Sequence, residues 1–87
     1  MTTIVLYGRP GCHLCDDARE VLLRVREGAP FEFLEIDIET DDALHAAYLE
    51  RIPVVTIDGI EAFEFFVDGR ELQHRLMGAA GARANEM

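Results

Sequence analysis

Two rhythms of apolar and polar positions run along this chain, and the switches between them mark its elements. Thr3 to Tyr7 (TIVLY) is a short, β-branched, apolar run stopped by Gly8 and Pro10, as in a buried strand. Leu14, Ala18, Val21, Leu22 and Val25 then recur at i, i+4, i+7, i+8 and i+11. That spacing predicts one helical face, with Asp16, Asp17, Arg19, Glu20 and Arg24 largely off it. Gly28 and Pro30 stop the helix. Phe31 to Ile38 (FEFLEIDI) predicts a second strand. Thr40 or Asp41 can cap a second helix with Leu44, Ala47 and Tyr48 on its apolar face, closed by the residue before Pro53.

The second half reads differently. VVTI (Val54 to Ile57) is a strand, Asp58-Gly59 is a strong hairpin turn, and IEAFEFFV (Ile60 to Val67) is the returning strand. Asp68 then opens a last helix. Its side chain can cap, Glu71 sits at the third helical position, and Val67 and Leu72 stand where a hydrophobic staple would place them. Gly78 is expected to end that helix, which leaves residues 1–78 as the folded domain and 79–87 as a frayed tail.

The expected order is β-α-β-α-β-β-α. Strand, helix, strand implies a parallel pair with a right-handed crossover, and the late hairpin adds antiparallel strands. A four-stranded mixed sheet covered by helices follows, an α/β domain. At 87 residues there is room for one such core, and a hydrophobic fraction of 49% can fill it.

Charge narrows the partners. A formal net charge of −9 repels phosphate backbones and anionic lipids, so neither nucleic acid nor membrane is an expected partner. The opening MTTIVLYGRPGC lacks the basic and apolar regions of a signal peptide, so a cytoplasmic protein is expected; a monomer is expected as well.

The two cysteines, Cys12 and Cys15, lie within GRPGCHLC and admit four readings: structural disulfide, half of a metal site, inert core thiols, or redox pair. A staple is disfavoured in a reducing compartment, and a loop this short restrains little chain entropy. Three helical residues turn the chain by about 300° and place the two Cα atoms roughly 5 Å apart, a distance that a disulfide accepts. The pair can open and close on a rigid frame. Cys12 falls at the helix start, beyond the first strand's carboxyl end, where unpaired N–H groups and the helix dipole favour a thiolate. Arg9 and a protonated His13 can add to this effect, while Asp16 and Asp17 oppose it. Cys15, one turn in, is the natural resolving thiol. C-x-x-C before a helix in a βαβ setting is the pattern of a redox pair.

LYGRPGCHLCDDAREVL resembles the active-site segment of the thioredoxin superfamily, most closely that of small bacterial glutaredoxin-like proteins, and RIPVVTIDG is similar to their strand entered through a cis-proline. The resemblance runs to Gly78. It implies a thioredoxin-like three-layer fold with helices on both faces of the sheet, Cys12 as nucleophile and Cys15 as resolving thiol. It also implies that Pro53 lies beside them in the cis form, with the Ile52 backbone pairing with the substrate's extended chain. The chain departs from the family in three places. His13-Leu14 replaces Gly-Pro or Pro-Tyr between the cysteines, Gly11 stands where thioredoxins carry tryptophan, and the glutathione-gripping Gly-Gly is missing. Arg51 and Asp68 are the remaining candidates for glutathione contacts.

Blander readings cover other residues. His45 and His74 read as solvated helix positions, Tyr7 as strand packing, and Phe63, Phe65 and Phe66 as sheet packing. Rival functions are a metal module, holding zinc or a glutathione-bridged iron–sulfur cluster, and a redox-inert peptide-binding adaptor. The sequence favours a thiol–disulfide oxidoreductase with no tightly bound cofactor. It would act on disulfide-containing proteins or mixed disulfides and be recycled by glutathione or a thioredoxin-reductase system.

Overall fold

A computed structural model describes residues 1–85, with the side chains of residues 1–77. The elements are β1 (Thr3–Gly8), α1 (His13–Gly28), β2 (Glu32–Asp37), a 3₁₀ turn (Ile38–Thr40), α2 (Asp42–Tyr48), β3 (Val54–Ile57), β4 (Ile60–Glu64) and α3 (Gly69–Asn85). The sheet order is β2-β1-β3-β4, with β1 parallel to β2 and the other pairings antiparallel. This is the mixed sheet that the element order implies.

Alternation along β1 sends Ile4, Leu6 and Gly8 to one side, all buried. There Ile4 and Leu6 meet Ala18 and Leu22 of α1, Leu72 of α3, and Phe31, Val55 and Val67 in one cluster. On the other side Tyr7 packs against Tyr48 of α2, ring centroids 4.9 Å apart. Helices therefore cover both faces, and the fold has three layers.

Local chemistry sets the element ends. The Asp41 carboxylate accepts from the N–H groups of Ala43 and Leu44, so Asp41 rather than Thr40 caps α2. The Asp68 carboxylate accepts from Arg70 and Glu71 and caps α3. Val67 and Leu72 both enter the core cluster, as a staple requires. The Asp58-Gly59 turn has φ of 51° and 85°, both in the left-handed region that a tight hairpin demands. Asp58 also ties that turn to the start of β1, its carboxylate accepting from the Thr3 N–H at 2.9 Å.

Four sequence expectations are corrected. Leu14 is 48% exposed rather than part of the buried face of α1, because that face is carried by Cys15, Ala18 and Leu22, and Leu14 stands about 80° round the helix from Leu22. Ala47 is exposed, and α2 ends at Tyr48, well before Pro53. The returning strand stops at Glu64, since Phe65 takes a left-handed φ of 71° that breaks the ladder. Finally, Gly78 does not end α3, which runs on to Asn85. The Ala-rich stretch after it has high intrinsic helix propensity. Of the stretch expected to fray, 79–85 has helical backbone, while 86 and 87 lie outside the described residues.

Candidate active site

The dithiol is built by the junction of β1 and α1. Gly11, at φ 80°, makes the turn that brings the chain into the helix, a conformation that costs glycine little. Cys12 is then the N-cap of α1, with extended backbone, and its sulfur accepts the N–H of Cys15 at 3.2 Å. A sulfur thus fills the role usually played by a serine or aspartate oxygen. The two thiols are unbonded and differ in exposure: Cys12 is half-buried and Cys15 is 1% exposed.

Cys15 lies under the end of β1. A Cβ placed on Gly8 would sit 2.7 Å from its sulfur, so only glycine leaves room there. Burial first, and then the hydrogen bond with the Cys12 side chain, push the Cys15 thiol up to about 12. The negative charges of Cys12 and Asp16 push the same way, while a backbone hydrogen bond from Arg9 opposes them.

Pro53 completes the edge. The Ile52–Pro53 bond is cis, and Pro53 is buried. The β1–β3 register pairs Tyr7 with Val54, so one step further Pro53 comes opposite Gly8, at the end of the sheet that carries the thiols. Ile52, half-buried, precedes it.

The remaining candidates are placed differently. The Arg9 guanidinium reaches Glu39 at 3.9 Å, so its side chain leans toward the loop after β2 while its backbone serves Cys15. His13 is the exposed first residue of α1. Arg51 is clamped by Glu64, at 2.8 Å, and Glu61, with its guanidinium 5.4 Å from the centre of the Tyr48 ring. The two carboxylates hold it well above its ordinary pKa. Burial, and then Glu61, likewise raise the Tyr48 phenol. Asp68 spends its carboxylate on the α3 cap. Among the described residues no three His, Cys, Asp or Glu side chains converge as a metal site. A cleft of about 400 Å³ opens beside the thiol loop, lined by Arg9, Pro10, Arg19, Glu35 and Asp37 among others.

Sequence reasoning missed two features. The Arg51 clamp depends on a bulge: the β3–β4 register slips by one residue between Val55 and Thr56, placing Glu61 opposite Thr56 and Glu64 opposite Val54. Both acids thereby fall on one face, whereas strict alternation would separate them. The second feature is Phe65-Phe66, expected to pack in the sheet but 45% and 69% exposed. Phe65 donates its N–H to the Pro53 carbonyl at 2.8 Å, which brings the pair to the dithiol end of the sheet. A left-handed non-glycine residue costs about 1–2 kcal/mol. No sequence signal distinguishes this Phe65 from a strand phenylalanine.

A three-layer α/β fold with a helix-capping C-x-x-C pair opposite a cis-proline defines a member of the thioredoxin superfamily. Within it, the chain belongs to the glutaredoxin-like domain family (DUF836), whose model matches residues 3–77. It is similar to the X. campestris protein XcR50, with 34% identity over 86% of this chain and 96% of that one and a TM-score of 0.70. It is also similar to protein Ne2328 from Nitrosomonas europaea, with 30% identity over 91% and 89% of the two chains and a TM-score of 0.72. A mutant thioredoxin from Halobacterium salinarum NRC-1 shares the fold at 21% identity, covering 88% of this chain and 73% of that one, with a TM-score of 0.65. Among curated proteins, none matches the chain. Within the described residues, no helix is long and apolar enough to cross a membrane.

Proposed function

We propose that this protein is a cytoplasmic, monomeric dithiol–disulfide oxidoreductase that reduces disulfides in other proteins or mixed disulfides with small thiols. The observation that carries the reading is the asymmetry of the pair. One sulfur is accessible and accepts a helix N–H, while the other is buried and held protonated.

The Cys12 thiolate attacks one substrate sulfur, forming a Cys12–substrate disulfide and expelling the first substrate thiolate. That thiolate can take up the Cys15 proton. Once Cys12 is in a disulfide, its hydrogen bond and its charge no longer hold Cys15 protonated, leaving burial and Asp16 as the opposing influences. The Cys15 thiolate then attacks the Cys12 sulfur and expels the second substrate thiolate, which gains a proton. Two electrons have passed to the substrate, and the protein carries a Cys12–Cys15 disulfide. Two electrons from glutathione or a thioredoxin-reductase system return it to the dithiol.

Trapping tests the assignment. Cys12→Ser should abolish reduction of a protein disulfide, whereas Cys15→Ser should accumulate a covalent mixed disulfide visible by non-reducing mass spectrometry. If neither variant traps substrate and the wild type reduces nothing, the reading fails; a trap formed only by the Cys12 variant would exchange the two roles.

A further inference from the structure

Resting on the oxidoreductase reading, we propose that Phe65 and Phe66 dock the polypeptide flanking the substrate's disulfide, and that the favoured substrate is a basic peptide segment with a large apolar side chain beside its cysteine. Continuity comes first. Phe65 is hydrogen-bonded to Pro53, Pro53 stands opposite Gly8 by register, Gly8 touches the Cys15 sulfur position, and Cys15 donates to the Cys12 sulfur. The exposed aromatic pair therefore lies at the same end of the sheet as the thiol that forms the mixed disulfide. Adjacent aromatic rings turned to solvent at a reactive edge suit an apolar anchor from a partner.

Charge identifies the rest of the occupant. The carboxyl ends of β1 and β2 share one edge of the sheet, so Asp42 follows at the same end as Cys12, with Asp17 in the first turns of α1. These two carboxylates stand beside Asp16, Asp37, Glu39 and Asp41, which are taken up by arginines or helix caps. The cationic side chains there are already engaged, Arg9 by Glu39 and Arg51 by Glu61 and Glu64. An anionic ligand such as glutathione would meet a carboxylate beside each of these guanidinium groups, and the Asp68 carboxylate is occupied as a helix cap. On a chain of net charge −9, a cationic partner is steered in and an anionic one repelled.

The test compares kcat/KM for four disulfides: a basic peptide with Phe or Leu beside the cysteine, an acidic peptide with Ser there, a glutathione mixed disulfide, and the small neutral hydroxyethyl disulfide. The wild type should prefer the basic, apolar peptide by about tenfold, a preference that shrinks as salt is raised. Phe66→Ser and Phe65→Gly should each erase much of that preference while leaving hydroxyethyl disulfide turnover unchanged. Phe65→Gly also relieves the left-handed backbone, so a loss of preference in a fully folded variant cannot be ascribed to misfolding. Equal rates for the two peptides, a wild-type preference for glutathione mixed disulfides, or a dimer that the Phe66 variant dissociates would each overturn the docking proposal while leaving the redox reading standing. Failure to reduce any disulfide, hydroxyethyl disulfide included, would overturn the redox reading and this proposal together.

Discussion

The two faces of the sheet are held by different means. Under α1 and α3, Ile4, Leu6, Ala18, Leu22 and Leu72 are all at most 1% exposed, and the face is closed by apolar packing. On the opposite face α2 spans seven residues, none of them buried. Val54, which pairs with Tyr7, is fully buried there, and cover is completed by the Tyr7–Tyr48 stack and by Arg51, which lies over Tyr48 while paired with Glu61 and Glu64. Hydrophobic burial is non-directional and is not weakened by charge screening, whereas exposed ion pairs contribute little and are screened. One face is therefore closed by a large apolar cluster, and the other by a smaller buried patch with exposed ion pairs at its margin.

The contrast is broken most directly at Leu22. Leu22→Ala should cost about 2–5 kcal/mol in urea unfolding, because the site is fully buried and cannot collapse. Leu44→Ala on half-buried α2 should cost less than half as much; equal losses would mean that the two faces share the load. A smaller effect is expected from alkali. The folded-state pKa of Cys15, about 12, lies above its ordinary value of 9.0, so its contribution is complete below pH 9 and fades as pH rises toward 12. Stability measured over that interval should fall less steeply in Cys15→Ala than in the wild type. The smallest change belongs to the other face. The Thr56 hydroxyl is buried without a hydrogen-bond partner, so Thr56→Val should raise stability by about 1 kcal/mol. A loss instead would reveal a partner for that hydroxyl.

Much of this was legible in the sequence because it rests on local chemistry. The Asp58-Gly59 turn, the Asp41 and Asp68 caps, and the helix start at Cys12 each follow from one or two residues with a definite backbone role. The apolar period of α1 was readable too, although the pattern starts on Leu14 and the buried face begins at Cys15. What depends on one residue's count stayed hidden. Period two along IEAFE separates Glu61 from Glu64, and only the bulge unites them on Arg51. Phe65 reads as strand because aromatic residues favour strands, and its reversal of φ is imposed by the loop bonded to Pro53. The dithiol was plain in the sequence. The surface offered to a substrate was not.

Gly8 carries a consequence of its own. Its backbone lies in the ordinary strand ladder with β2, so the demand for glycine there is one of size rather than conformation. The space a methyl group would need is already taken by the Cys15 sulfur, 2.7 Å from where that carbon would stand. Strand and electron carrier thus compete for one volume. A structural position that tolerates many side chains elsewhere becomes as restrictive as a catalytic one, though it takes no part in the chemistry. Variation at the last residue of β1 is policed by the thiol beneath it.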